Sequence, residues 1–250
     1  MSSIKILSKY PRIDLNENEL VFESEKKWQD RPAWIRVKNA AKPFPRLLSV
    51  QVPKYGELIY KSFGHYYFPF DYTNDEERRF MDGMAQDYDN MVGNEFNIPM
   101  AKALLSKIPL VEIDQKSAIL DLGCGTGIIS DILSYEGYTN FTLVDFSEEM
   151  LEEAKKKNLK NAKFLHLDLT KKVPEGTYML VMSVMLFNTF NEKVTSDVIT
   201  KLLPHLRPNS VFAVLEDTGK KAYKEHFDMI YEGMVDVANR TKYMFVGRLK

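Results

Sequence analysis

The segment from Ile119 to Ile129 constrains the fold more than any other part of the chain. It has the sequence Ile-Leu-Asp-Leu-Gly-Cys-Gly-Thr-Gly-Ile-Ile. The pattern predicts a buried strand, a tight glycine turn and then a helix, which is the unit that binds nucleotides in doubly wound sheets. Because glycines turn sharply and carry no Cβ, a ligand could approach the backbone of this loop closely.

The spacing of the glycines and two nearby carboxylates narrow the ligand class. A dinucleotide site requires a third glycine at position 128, where this chain has Ile128, and no Gly-Lys-Ser/Thr of a P-loop follows. Asp121 lies two residues before the first glycine, where a carboxylate suits an ammonium or sulfonium group better than a pyrophosphate. Asp145 ends the next predicted strand, where it could accept hydrogen bonds from both ribose hydroxyls.

Together these residues resemble the class I S-adenosylmethionine-dependent methyltransferases. The run from Asp121 to Gly127 matches the first motif of that family, Asp145 matches its ribose-binding acid, and Phe146 matches the residue that packs on the adenine. The resemblance implies a Rossmann-like fold, S-adenosyl-L-methionine as cofactor, S-adenosyl-L-homocysteine as product, and direct methyl transfer. The remaining cofactor-binding positions that it implies are Tyr88, Gly123, Cys124, Gly125, Thr126, Met150, Asp168, Leu169 and Ser183.

The order of the predicted elements supports the same α/β fold, a doubly wound and mostly parallel sheet behind an N-terminal extension. We expect the extension over residues 1–72 and the cofactor-binding domain over 73–250. A helix that begins near Thr73 is expected to carry Phe80, Met84 and Tyr88 on one face. Predicted strands then cover 117–122, 140–145, 163–167, 178–184, 210–215 and 243–249, and predicted helices cover 98–108, 126–136, 147–157, 191–203 and 220–239.

These elements give six strands, whereas the family's sheet has seven and ends in an antiparallel hairpin. Either the N-terminal extension supplies an edge strand or the sheet is one strand short. The sequence leaves both alternatives open.

The methyl acceptor is less constrained than the cofactor. The segment 183–188 reads Ser-Val-Met-Leu-Phe-Asn, without the Asn/Asp-Pro-Pro-Tyr/Phe signature of amino-group methylation. Its apolar character, and an aromatic stretch over 60–72, favour a small, partly hydrophobic acceptor in an enclosed pocket. That stretch could be a substrate lid or could pack the extension onto the domain. Four residues are candidate general bases by position alone, namely His65, Tyr66, Tyr67 and Glu216.

Two other functions remain open. Residues 1–61 contain twelve Lys/Arg and seven Asp/Glu, interleaved with aromatics such as Trp34, whereas the whole chain has a net charge of −1. A basic, aromatic extension is compatible with an RNA or protein methyltransferase, whose substrate affinity would fall with salt. The other alternative is a non-catalytic scaffold that retains only cofactor binding.

Composition excludes several classes of protein. The one cysteine, Cys124, rules out an internal disulfide framework and a multi-thiolate zinc site, and the four histidines lack metal-ligand spacing, so we expect no metal. No apolar run approaches the roughly 20 residues of a membrane span, and no secretory signal is apparent, which predicts a cytoplasmic protein. The oligomeric state is not predictable from the sequence.

Overall fold

The computed structural model describes the backbone of six N-terminal strands between 12 and 67, residues 78, 81–82 and 85–86, and the chain over 88–157 and 159–250. The chain divides into two compact units, Met1–Met84 and Ala85–Lys250. The predicted helix start at Thr73, together with Phe80 and Met84, lies outside the described residues, so this part of the prediction and the boundary at 72/73 remain predictions.

The described strands of the first unit form one sheet. They are β1 (Arg12–Asp14), β2 (Val21–Trp28), β3 (Arg31–Lys38), β4 (Leu48–Val52), β5 (Gly56–Ser62) and β6 (His65–Tyr67). Their order across the sheet is β1-β4-β5-β6-β3-β2, and all neighbours are antiparallel except β1 and β4. The extension is therefore built mainly from hairpins.

The second unit contains a sheet of seven described strands. They are β7 (Ile119–Leu122), β8 (Phe141–Asp145), β9 (Lys163–His166), β10 (Tyr178–Val184), β11 (Leu206–Glu216), β12 (Phe227–Val237) and β13 (Arg240–Leu249). Their order is β12-β13-β11-β10-β7-β8-β9, in which β7 to β11 are parallel and β13 runs antiparallel between β11 and β12. The order reverses between β7 and β10, which is the point where doubly wound sheets bind ligands.

Helices cover both faces of this sheet, as the sequence predicts for strands as apolar as β7 and β10. They are a π-helix (Asp89–Asn97), α1 (Ile98–Leu105), α2 (Ile128–Tyr135), α3 (Glu148–Lys155), α4 (Glu192–Leu202) and α5 (Ala222–His226). Side chains of α1 and α2 pack in one hydrophobic cluster, and those of α4 and α5 pack in another on the opposite face. The predicted doubly wound, mostly parallel fold is confirmed.

The predicted helix over 220–239 is wrong. Only α5 is helical there, and 227–237 form edge strand β12. β12 is the seventh strand of the sheet, so both alternatives that the sequence offered, an edge strand from the N-terminal extension and a sheet one strand short, are wrong. The physical reason is the hairpin partner. In β12, which pairs with β13, Tyr231 and Val235 pack against the core while Met234 is exposed. A register shift between Met229 and Tyr231 interrupts this alternation, so the sequence pattern conceals the strand.

The described residues contain neither a candidate membrane span nor a candidate metal cluster. No helix there is both long and apolar enough to cross a membrane. In the same residues, no group of three or more His, Cys, Asp or Glu side chains could hold a metal ion.

Candidate functional site

Parallel pairing brings the predicted carboxylates to one edge of the sheet. Asp121 on β7 pairs in register with Leu143 on β8 and with Met182 on β10. Asp145 lies two residues beyond Leu143, so both acids stand at the carboxyl ends of adjacent central strands beside the glycine loop. This edge is where the sequence predicted the cofactor.

Asp145 organises the loop as well as facing the predicted site. Its Oδ2 accepts a hydrogen bond from the Gly125 N–H at 2.8 Å, and its Oδ1 accepts one from the Ser147 N–H at 2.9 Å. Ser147 in turn begins α3, because its hydroxyl accepts a hydrogen bond from the Met150 N–H, as predicted for a helix cap. A carboxylate can accept several hydrogen bonds, so these two contacts are compatible with further donors such as ribose hydroxyls.

Asp121 is buried, with 1% of its surface exposed. Ser130 on α2 donates its hydroxyl to Asp121 Oδ2 at 2.7 Å. Burial raises the pKa of Asp121 to about 7, and the nearby charge of Asp145 adds to the rise, against the lowering effect of the Ser130 hydrogen bond. A buried carboxylate beside a second one is stabilised by a cation, which fits a ligand with an ammonium group.

The three glycines of the loop all have positive φ, but they differ in the space around them. A Cβ on Gly123 would lie 2.9 Å from Leu186 Cδ1, and one on Gly127 would lie 3.1 Å from Leu143 Cδ2. At Gly125 no heavy atom of the described residues lies within 4 Å of that position. Gly123 and Gly127 are therefore required by the protein's own packing, whereas the open cradle at Gly125 fits a cofactor.

This difference predicts that alanine at position 125 mainly weakens cofactor binding, whereas alanine at position 123 mainly lowers stability. Gly125→Ala is expected to fold, at a backbone cost of about 1 kcal/mol, and to bind S-adenosylhomocysteine at least tenfold more weakly because the methyl group enters the cradle. Gly123→Ala is expected to lower the melting temperature more, because it adds a clash with Leu186 to the same backbone cost. Thermal melts and calorimetric titration would test both, and unchanged affinity in Gly125→Ala would contradict the cradle.

Asp89, which the sequence did not mark as a site residue, accepts a hydrogen bond from the hydroxyl of Thr126. Thr126 donates to Asp89 Oδ1 at the start of the π-helix, and Lys157 beyond α3 donates to Asp89 Oδ2 at 2.5 Å. Asp89 thus ties the π-helix to the glycine loop and to the end of α3. No local pattern marked Asp89, because its partners are 37 and 68 residues away.

The other predicted cofactor residues divide by burial. Cys124 is partly buried, its thiol pKa is raised by burial, and its N–H donates to the Val144 carbonyl, as expected for a structural residue of a tight loop. Met150 and Leu169 are buried as whole residues, so neither offers a ligand much accessible surface. Phe146 is partly exposed, and its carbonyl contacts the His166 ring at 3.0 Å.

Asp168, Ser183 and Tyr88 complete the predicted set. Although partial burial opposes it, hydrogen bonds from Thr170 and the charge of Lys171 hold the pKa of Asp168 below its ordinary value, so this acid stays ionised. The hydroxyl of Ser183 is fully buried and has no hydrogen-bond partner among the described residues. Burial raises the pKa of Tyr88, and the nearby charge of Asp145 adds to the rise. A hydrogen bond with the side chain of Asn97 acts in the opposite direction. All three cofactor roles remain predictions.

Comparison with known proteins identifies the domain. Residues 119–209, which contain the glycine loop, Asp145 and Asp168, match the model of a family described as a methyltransferase domain. Residues 119–209 form a methyltransferase domain. The predicted family is confirmed, and so is the expectation of an enzyme domain.

Curated relatives of this methyltransferase domain include two kinds of enzyme by name. The malonyl-[acyl-carrier protein] O-methyltransferase of Bacillus anthracis is 31% identical over 129 residues, which are 50% of this chain and 47% of that protein. The trans-aconitate 2-methyltransferase of Azoarcus sp. is 31% identical over 46% of this chain and 43% of that protein. The chain spans about half the length of the curated relatives it matches.

Solved structures confirm the fold of the methyltransferase domain. A methyltransferase solved with the Haloferax volcanii Trm112 activator superimposes with a TM-score of 0.57 at 16% identity, covering 68% of this chain and 97% of that one. The N-methyltransferase NodS of Bradyrhizobium japonicum, solved with S-adenosylhomocysteine, gives 0.51 at 12% identity, covering 60% and 85%. At these identities the likeness concerns architecture alone.

Proposed function

We propose that the protein is an S-adenosylmethionine-dependent methyltransferase that acts on a small, partly hydrophobic acceptor. The observation that carries this proposal is the open cradle at Gly125, whose N–H binds the buried Asp145, inside a methyltransferase domain in which the buried Asp121 lies on the adjacent strand. The family match and the name of NodS, solved with S-adenosylhomocysteine, support the choice of cofactor.

Each part of the edge has a role in holding the cofactor. Asp121 would bind the amino group of the methionine moiety, and Asp145 would accept the ribose hydroxyls while it fixes the Gly125 backbone. Phe146 and Asp168 stand at the ends of the next strands, where the adenine would lie. Asp89 would keep the π-helix on the loop once the cofactor has entered.

The transfer itself requires little acid–base chemistry from the protein. When bound, S-adenosylmethionine supplies a methyl group on a sulfonium that is already a good leaving group. The chain's contribution is to orient that group and the acceptor in line and to exclude water, which can account for several kcal/mol of the barrier. A general base is needed only for an acceptor that must lose a proton.

We propose a carboxylate oxygen as the acceptor atom. The names of the relatives support it, because a malonyl group and aconitate both carry free carboxylates. A carboxylate is anionic at neutral pH and needs no base. Glu216, the one base candidate with described side-chain contacts, supports this choice too, since both of its oxygens accept hydrogen bonds from the backbone.

The test is methyl transfer from methyl-labelled S-adenosylmethionine to three acceptors, malonyl-[acyl-carrier protein], trans-aconitate and total RNA, at low and high salt. We expect label in an acid acceptor, insensitive to salt and released by alkali as methyl esters are. Label confined to RNA and lost at high salt would instead support the macromolecular alternative. Failure to bind S-adenosylhomocysteine would contradict the cofactor assignment as well.

A further inference from the structure

The turn that follows β10 has an unusual backbone. Met185 adopts φ +65°, in the left-handed region that residues other than glycine rarely occupy, and a short 3-10 helix, Phe187–Thr189, follows it. The Met185 N–H donates to the Leu215 carbonyl on β11 at 2.8 Å. Such strain costs about 1–3 kcal/mol and persists only where surrounding contacts impose it.

Glu216, the last residue of β11, supplies two of those contacts. Its Oε1 accepts a hydrogen bond from the Phe187 N–H and its Oε2 accepts one from the Asn188 N–H, both at 3.0 Å. The residue is fully buried, and burial raises its pKa to about 8 despite these two hydrogen bonds. An ionisable group is costly at such a position, so its two backbone partners give the physical reason for its presence.

A second tie joins the same two segments. The Asn188 side-chain oxygen accepts a hydrogen bond from the Asp217 N–H at 2.8 Å, and Asp217 forms an ion pair with the buried Lys242 of β13. The turn is therefore fixed to the end of β11 by its backbone and by a side chain. Its position depends on Glu216 and its neighbour rather than on β10 alone.

The fixed turn reaches the glycine loop through Leu186. The Cδ1 atom of Leu186 lies 2.9 Å, and its Cβ atom 3.0 Å, from where a Cβ of Gly123 would be, so this side chain lies directly against the Gly123 backbone. A displacement of the turn would therefore move one side of the loop. Glu216 does not touch the loop and can act on it only through the turn.

We propose that Glu216 is a positioning residue that holds the turn over 185–189 against the glycine loop, so that the turn forms a wall beside the transferred methyl group. This inference rests on the proposed function. Under this proposal, Glu216 is not the general base that its position in the sequence suggested.

Glu216→Gln tests this role with little change in side-chain size. The amide can accept one of the two N–H groups but places its own NH2 against the other, so the turn should loosen. At pH 9, where Glu216 is mostly ionised and accepts both N–H groups, we expect affinity for S-adenosylhomocysteine to fall at least fivefold. The matched control is Glu192→Gln, whose Oε1 accepts the Ala222 N–H at 3.0 Å away from the turn, and which should bind within twofold of wild type. A lower melting temperature with unchanged affinity would overturn the proposal.

A second test, by NMR spectroscopy, uses only the wild-type protein and requires no methyl acceptor. In the wild-type protein, the amide signals of Phe187 and Asn188 and the methyl signals of Leu186 should shift together as pH rises, with a midpoint near 8. Neighbouring charged and titratable groups include Asp217 and Lys220 on the same segment, Tyr223 on α5 and Tyr243 opposite on β13. Amides that shift without the Leu186 methyls would overturn the proposal. If wild type fails to bind S-adenosylhomocysteine, the proposed function fails, while these shifts still report on Glu216.

Discussion

Replacing Asp145 with alanine is expected to reduce affinity for S-adenosylhomocysteine at least a hundredfold. The carboxylate would be lost as acceptor of the ribose hydroxyls, and hydrogen bonds to charged groups contribute about 1.5–3 kcal/mol each. The same substitution releases the Gly125 and Ser147 N–H groups, so the loop and the start of α3 lose their common anchor. Both effects act in the same direction, which makes this the largest predicted loss of binding.

Calorimetric titration with S-adenosylhomocysteine measures this effect, and two variants separate its parts. Asp145→Asn keeps one acceptor oxygen and is expected to lose affinity less severely, by about tenfold. Asp114→Ala removes a carboxylate that accepts the Lys116 N–H in an exposed turn before β7, and should bind as wild type does. Wild-type affinity in Asp145→Ala would show that the cofactor binds elsewhere.

Asp121→Asn is expected to stabilise the ligand-free protein while it weakens cofactor binding. The folded state raises the pKa of Asp121 from an ordinary value of 3.8 to about 7. Three units of pKa correspond to a destabilisation on the order of 4 kcal/mol once the pH exceeds the folded pKa. The amide is neutral and can still accept the Ser130 hydroxyl, so it avoids that cost. The substitution also removes the negative charge that would bind the ammonium group of the cofactor.

The direction of the pH dependence follows from this raised pKa. Below pH 4 the carboxyl is protonated in both states, and its contribution to stability is fully present. As pH rises from about 4 to about 7, the unfolded chain loses its proton first, so stability declines, and it stays lower above pH 7. Cofactor affinity should change in the opposite sense, rising as pH passes through 7, because the ligand's ammonium group binds the ionised form.

Melting temperatures and S-adenosylhomocysteine titrations between pH 5 and 8 would test both statements. The wild-type melting temperature should fall more steeply over this range than that of Asp121→Asn, which should melt several degrees higher at pH 8. The variant's affinity should be about a hundredfold weaker at pH 8 and nearly independent of pH. A variant that melts lower than wild type at pH 8, or that keeps its affinity, would contradict the assignment of Asp121.

Predictions from the sequence succeeded where a residue's task is local. The extent of β10 was predicted to the residue, because a run of apolar side chains buried on both faces has few other solutions. Ser147 as the cap of α3 also follows from its neighbours in the chain. The prediction of a helix over 220–239 failed for the opposite reason, because 227–237 form strand β12 through hydrogen bonds to β13.

The sequence by itself determined the methyltransferase domain, its parallel strands and the loop that would hold a nucleoside, because glycine spacing and strand-end acids express these directly. Only the tertiary structure decided which glycine faces open space, that Asp121 is buried beside Ser130, and that Glu216 hydrogen-bonds the turn after β10. These relations join residues that are distant in the chain, and a raised pKa or an open cradle depends on the atoms that surround a group. Packing creates those surroundings, and the order of residues does not record them.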